Sequence, residues 1–250
     1  MALQIENISK SYGGSLVLNG VDLEIAPGEF VALLGPSGSG KTTLLRIIAG
    51  LQFAEQGRLV FDGEDITGLD ARLRRFGMVF QSYALFEHMT VEANVAFGLR
   101  MRPRSTRPPR DEIAKKVREL LELAEIGHLA KRYPSQLSGG QRQRVALTRA
   151  LAIEPRMLLL DEPFSALDTQ IRKGLRSALR DLQRRVGISA ILVTHDQEEA
   201  FEIADRVAVM SEGRIEQFGT AEELVRRPAT PFVASFLEGM ENYLNQGAGI

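Results

Sequence analysis

The run Gly35-Pro36-Ser37-Gly38-Ser39-Gly40-Lys41-Thr42 constrains this chain more than any other feature. It fits the pattern G-x-x-x-x-G-K-[ST], and its flanks are the ones that pattern requires. Ahead of it stands Phe30-Val31-Ala32-Leu33-Leu34, a continuous apolar run that predicts a strand buried on both faces. Behind it, residues 42–49 carry apolar side chains at helical spacing. Glycines let a backbone wrap a phosphate chain with its N–H groups turned inward. The helix that follows offers the positive end of its dipole to the same anion. In such a loop Lys41 reaches the β- and γ-phosphates, and the Thr42 hydroxyl binds Mg²⁺. The expected ligand is therefore a nucleotide's phosphate chain with Mg²⁺, held by Gly35, Ser37, Gly38, Ser39, Gly40, Lys41, Thr42 and Thr43.

A second apolar run, Met157-Leu158-Leu159-Leu160, ends in Asp161-Glu162. Two carboxylates at the end of a buried strand divide their work: Asp161 holds Mg²⁺ through water, and Glu162 orients or deprotonates the attacking water. Further strands are expected at 5–8, 21–25, 58–61, 78–80, 190–194 and 206–210, and helices at 111–124, 138–153, 170–185 and 197–204. Alternation of this kind predicts an α/β fold with a mainly parallel sheet. Helices from about 88 to 152 interrupt it and read as an inserted helical subdomain.

With 250 residues, 44% of them apolar, the chain can bury one large core, and a disordered chain is excluded. The absence of cysteine excludes disulfides, thiolate metal sites and cysteine nucleophiles. A balance of 31 basic against 32 acidic residues gives no overall pull toward nucleic acid. The N-terminus, MALQIENISK, has no basic segment followed by an apolar stretch, so no signal peptide is expected. No apolar run approaches the ~18 residues of a membrane span. If the chain works at a membrane, another chain must hold it there. Residues 98–110 read GLRMRPRSTRPPR, with five Arg and three Pro from 100 to 110. The prolines predict an exposed loop; a basic patch that meets a partner or lipid headgroups is the other reading. His88 and His128 fall outside any motif and are expected at the surface or an interface.

Leu137-Ser138-Gly139-Gly140-Gln141 resembles the signature of ATP-binding-cassette (ABC) proteins. Physically it is a second anion site, with a Ser hydroxyl and glycine N–H groups at a helix start; alone it would read as a helix cap. The resemblance to ABC ATPases covers about residues 1–237. The segments FQSYALFEHMTVEANVAFGL, RYPSQLSGGQRQRVALTRAL, THDQEEAFEIADRVAVMSEGRIEQFGT and RRPATPFVASFLEG look like importer cassettes, in particular the ATPase subunits of bacterial sulfate/thiosulfate importers. Cassettes for molybdate, polyamines, iron and sugars share most of these motifs and are the alternative.

That resemblance implies a P-loop NTPase (RecA-like) core with an antiparallel β subdomain and an inserted α-helical subdomain. The core would occupy 1–87 and 153–237, the helical signature subdomain 88–152, and a polar tail 238–250, with the C-terminal β-rich regulatory domain of sulfate-importer cassettes expected to be absent. It implies that Gln81 is a ligand to Mg²⁺ and the lytic water, that His195 contacts the γ-phosphate, that Asp168 lies in a loop against the partner cassette, and that Tyr12 stacks on adenine. Two copies would pair head to tail, with ATP between the phosphate loop of one and Ser138, Gly139, Gly140 and Gln141 of the other. Closure around two ATP would drive two transmembrane permease subunits, supplied by a solute-binding protein, from the cytoplasmic face of the inner membrane. Residues 82–104, with Tyr83, Leu85, Phe86 and Met89 expected as an exposed apolar set, would receive a helix of the permease. A soluble ABC ATPase acting on nucleic acid or ribosomes is less compatible with one cassette, a net charge of -1 and no sustained heptads.

Overall fold

The structure is a computed structural model that describes residues 3–165 and 169–247. It begins with β1 (Leu3–Tyr12), β2 (Ser15–Ile25), β3 (Phe30–Leu34), α1 (Lys41–Ala49), β4 (Gln56–Phe61), β5 (Glu64–Asp65), α2 (Ala71–Arg74) and β6 (Gly77–Val79). Next come α3 (Val91–Arg100), α4 (Arg110–Leu123), α5 (Gly139–Ala152), β7 (Met157–Asp161) and α6 (Thr169–Val186). The chain finishes with β8 (Ser189–Thr194), α7 (Gln197–Ile203), β9 (Arg206–Ser211), β10 (Arg214–Gly219), α8 (Ala221–Arg226), α9 (Pro231–Phe236) and α10 (Met240–Gly247). Two compact units result: the described residues up to Arg75 with those from Ile188 onward, and Phe76–Gly187.

The first unit holds an antiparallel sheet in the order β2-β1-β4-β5, and four further strands in the order β10-β9-β3-β8. β3 runs parallel to both β8 and β9, with Leu34 level with Thr194 and Val209. Every residue of β3 and β8 is buried, as a continuous apolar run demands of a strand covered on both faces. Ala32, Leu34, Val207 and Val209 share a core with Leu224 of α8, Val233 of α9 and Met240 of α10. The segment that reads as a polar tail thus contains a helix. Met240 and Tyr243, three residues apart on one face, pack it onto this core and leave the polar side chains outward.

The second unit holds the parallel pair β6-β7, with Gly77 level with Leu158 and Val79 with Leu160. Helices α3, α4 and α5 enclose their own core, including Val91, Val95, Leu99, Ile113, Val117, Leu121 and Val145. Ile113, Val117 and Leu121 are the four-residue stripe that the sequence places on one face of α4. Between α3 and α4 the prolines hold a loop, as expected.

Arg74, 1% exposed, fixes the far end of α1. Its Nη1 donates to the carbonyls of Ile47 (2.6 Å) and Ile48 (2.9 Å), its Nε to Leu69 (2.8 Å) and its Nη2 to Thr67 (3.0 Å). Two of those carbonyls belong to the last turn of α1, where intrahelical donors run out; Ile47 also accepts from the Gly50 N–H (3.1 Å). Burial lowers the guanidinium pKa, and the nearby Asp70 opposes that shift. Arg74→Ala is expected to cost about 3 kcal/mol, because several buried acceptors lose their donor at once. Chemical unfolding should show a lowered midpoint with an unchanged slope. Arg74→Lys should recover little, since an ammonium lacks the planar fork that reaches four carbonyls.

Candidate active site

The phosphate loop leaves the buried end of β3 and returns as α1. Its glycines are steric requirements. A Cβ on Gly35 would stand 2.1 Å from the Met210 carbonyl oxygen, and one on Gly40 would stand 2.8 Å from that of Val17. Gly40, at φ 97, turns the chain into α1 in the left-handed region that a glycine tolerates. Lys41 is 6% exposed. Its Nζ donates to the carbonyls of Gly35 (2.7 Å) and Pro36 (2.8 Å) and to Ser39 Oγ (3.4 Å), so the ammonium sits inside the loop's own curve. Pro36, Ser37 and Gly38 are exposed, Ser39 is buried, and Thr42 and Thr43 are half-buried.

Helices α1, α2 and α4 start without a side-chain cap. α3, α5, α7, α8 and α9 each begin with a Ser, Thr or Asp side chain that accepts a first-turn N–H. α1 has no side-chain cap and no acidic residue in its first turn. A positive helix end that the protein itself does not cap, beside a buried ammonium, suits an anion with several oxygens.

His195, exposed, follows the last residue of β8, Thr194. Because Thr194 is level with Leu34, His195 and Gly35 leave neighbouring parallel strands at the same height. Ligands in α/β sheets sit at these carboxyl ends. A buried pair missed in the sequence fixes the turn. Thr194 Oγ1 donates to Glu199 Oε2 (2.7 Å) and accepts from the Asp196 N–H (3.0 Å), while Asp196 Oδ1 accepts from the Glu199 N–H (3.0 Å).

Tyr12 lies at the tip of the β1-β2 hairpin, 44% exposed. Its hydroxyl donates to Gln52 Oε1 (2.6 Å), and Lys10 Nζ sits 5.5 Å from its ring centroid. The returning strand β2 passes against Gly40 at Val17 and Leu18, so the hairpin and the phosphate loop are neighbours.

In the second unit, the β6-β7 register brings the residues after each strand together. Asp161, 6% exposed, is the last residue of β7. Glu162 follows at φ 45, a left-handed backbone that costs a non-glycine residue about 1 kcal/mol or more. Gln81 Nε2 donates to Glu162 Oε2 and to Ser165 Oγ, both at 3.3 Å. Ser165 closes the turn by donating through Oγ to the Glu162 carbonyl (3.0 Å). Gln81 and Glu162, which the sequence reading assigned separate roles, thus share a direct hydrogen bond. Asp168 lies outside the described residues.

The loop after Gln81 departs from expectation. Tyr83 is buried, and Leu85, Phe86 and Met89 are half-buried rather than an exposed apolar set. Leu85 packs on the helical core, and Phe86 meets Phe97 with ring centroids 4.4 Å apart. Arg149 of α5 donates to the carbonyls of Tyr83 (2.9 Å) and Ala84 (2.6 Å), which hold left-handed backbones at φ 61 and 46. Burial lowers the Arg149 pKa and raises that of Tyr83, the latter opposed by Arg142. Asn94, fully buried, accepts from the Phe86 N–H and donates to the carbonyls of Phe86, Met89 and Thr90. Arg149 and Asn94 thus position this loop, and neither carries a sequence signal. His88 and His128 are exposed, as expected.

Ser138 caps α5. Its Oγ accepts from the Gln141 N–H (3.3 Å), and its own N–H donates to Gln141 Oε1 (3.0 Å). The cap uses a lone pair and leaves the hydroxyl proton able to donate. Gly139 is half-buried and Gly140 buried, and the first turn of α5 contains no acid.

A sequence family described as ABC transporter matches residues 18–165. The chain is 60% identical over 237 residues to the sulfate/thiosulfate import ATP-binding protein CysA of Methylococcus capsulatus, and 61% identical over 237 residues to that of Yersinia pseudotuberculosis. These alignments cover 95% of this chain and 68% and 65% of those proteins, so the chain spans about two-thirds of their length. Among solved structures, the post-hydrolysis dimer of the ATP-binding cassette MJ0796 bound to ADP and Pi matches with a TM-score of 0.76 and 35% identity, covering 87% of this chain and 98% of that one. The ADP conformation of the cassette MJ1267 matches with a TM-score of 0.83 and 30% identity, covering 95% and 98%. The α/β cassette fold read from the sequence is borne out. The family match runs unbroken through the phosphate loop, Gln81, the Ser138 turn and Glu162, and the chain belongs to the ABC transporter family.

Proposed function

We propose that this chain is the ATP-hydrolysing subunit of an importer for sulfate or thiosulfate. The observation that carries the reading is 60% identity, over 95% of the chain, to a protein named for that import. The site chemistry agrees with it. Lys41 and the first-turn N–H groups of α1 neutralise the phosphate tail. Glu162 accepts a proton from the attacking water, and the Gln81 amide, already bonded to that carboxylate, holds the water in line. The water oxygen bonds to the γ-phosphorus as the bond to the bridging oxygen breaks, and ADP leaves with phosphate. His195, beside the phosphate loop on the neighbouring strand, donates to a γ-phosphate oxygen. Tyr12 provides the stacking surface for adenine.

Mg²⁺ suits the donors on offer. The ion would be held by the Thr42 hydroxyl of the first unit and by the Gln81 amide oxygen and Asp161 carboxylate of the second, and among the described residues no cluster of three or more His, Cys, Asp or Glu competes as an all-protein cage. Hard oxygen donors in small number fit an ion that keeps waters and phosphate oxygens in its shell. When bound, it supplies charge neutralisation at the phosphates.

Ser138, Gly139, Gly140 and Gln141 form a second anion-binding helix start, and a head-to-tail pair of cassettes uses both kinds of site at once. Residues 88–152 form the signature subdomain in this reading. Among the described residues no helix is long and apolar enough to cross a membrane, so transport requires permease subunits. The cassette then sits on the cytoplasmic face of the membrane.

Affinity purification of the tagged chain from detergent-solubilised membranes tests this. Two polytopic subunits and a sulfate-binding protein are expected to accompany it, in amounts that rise with ATP. Permeases of another solute class would replace the substrate, and recovery of soluble partners alone would overturn the transport reading.

A further inference from the structure

We propose that the arginine-rich segment between α3 and α4 binds the anionic headgroups of a phospholipid bilayer. From residue 93 to 110 the chain contains five Arg and no Asp or Glu, although its overall charge is -1. Arg100, Arg104, Arg107 and Arg110 are all exposed, and Met101, in their midst, is 61% exposed. The segment is a built platform. Arg102 Nη2 donates to the Ile153 carbonyl (2.8 Å) and ties the loop to the end of α5. Arg107 folds back onto the Arg102 carbonyl through Nε (3.1 Å) and Nη2 (3.0 Å), and the Thr106 N–H donates to Pro103 (3.0 Å). With three prolines as well, little chain entropy remains to be lost on binding.

The acids that face this segment are otherwise engaged or set apart. Asp111 and Glu112 occupy the first turn of α4, where they complement the helix dipole. Glu92 pairs with Lys131 (2.7 Å), and Glu122, which lines the same groove as Arg100, Arg107 and Arg110, lies against Gly127. Cations spread along a stiff segment, around one exposed thioether, match a surface of many phosphates with an apolar layer beneath it. Guanidinium binds phosphate through paired N–H groups. Near an anionic leaflet each such cation multiplies partition about fivefold, less where salt screens it. The location, though not the chemistry, rests on reading the chain as a peripheral subunit at a membrane.

Co-sedimentation of the full chain with phosphatidylcholine vesicles, with and without phosphatidylglycerol, tests the proposal. Binding should require phosphatidylglycerol and weaken at high salt. The triple variant Arg100→Gln, Arg104→Gln, Arg110→Gln should lose about tenfold or more of it, and the same positions changed to Lys should keep most. ATP affinity by calorimetry should not change in either variant, which reports an intact fold. Equal binding by the triple variant, or no preference for phosphatidylglycerol, would overturn the proposal. Loss of permease co-purification in the triple variant with unchanged vesicle binding would also overturn it and assign the arginines to a protein partner. Vesicle binding as expected, together with recovery of no permease when the tagged wild-type chain is purified from membranes, would sink the importer reading and leave this one standing.

Discussion

Glu162→Gln is expected to lower ATP turnover about a thousandfold while ATP affinity stays within a few-fold. The substitution keeps the side-chain volume, and an amide can still meet Gln81, but it cannot take a proton from water. Affinity should survive because the groups proposed to hold the phosphates, Lys41 and the start of α1, are untouched. The variant should therefore accumulate with ATP bound. If a pair of cassettes closes around that ATP, light scattering should find a dimer that wild type forms only transiently. Steady-state phosphate release measures the first effect. Turnover near the wild-type rate would remove Glu162 from the chemistry.

Lys41→Ala is expected to weaken nucleotide binding about a hundredfold, near 3 kcal/mol. Two losses combine. The triphosphate loses its nearest buried cation. The loop also loses its internal strut, since the Gly35 and Pro36 carbonyls and Ser39 Oγ all take a hydrogen bond from the ammonium. Calorimetry is the suitable assay, because the chain contains no Trp to report binding. An unchanged affinity would contradict the phosphate-loop assignment. A fall in Tm of the nucleotide-free variant would separate the strut from the charge.

The parts legible in the sequence are those written in short spacings. β3, β7 and β8 are wholly buried, and a strand covered on both faces must be a continuous apolar run. The phosphate loop is legible because its glycines answer steric demands a few residues apart. The positioning residues were not legible. Arg74 reaches Ile47 across 27 residues and Arg149 reaches Tyr83 across 66, so no local periodicity encodes either contact. The apolar residues after Gln81 looked like a docking face because composition does not say which side of a loop is covered. There a fully buried Asn94 and the packing of Phe86 on Phe97 decide. α8, α9 and α10 escaped notice because six to eight residues hold too few turns for a pattern, and they depend on packing onto β3 and β9.

The uncapped start of α1 makes the fuel a structural member. In five other helices a capping side chain accepts a first-turn N–H; at α1 none does, and in the proposed reading the ligand's phosphates would bring those acceptors. Sequence changes that would make the empty chain sturdier by giving α1 its own acidic cap would put a permanent anion where the phosphate must enter. The enzyme's least self-sufficient corner is thus protected from improvement by the task it performs.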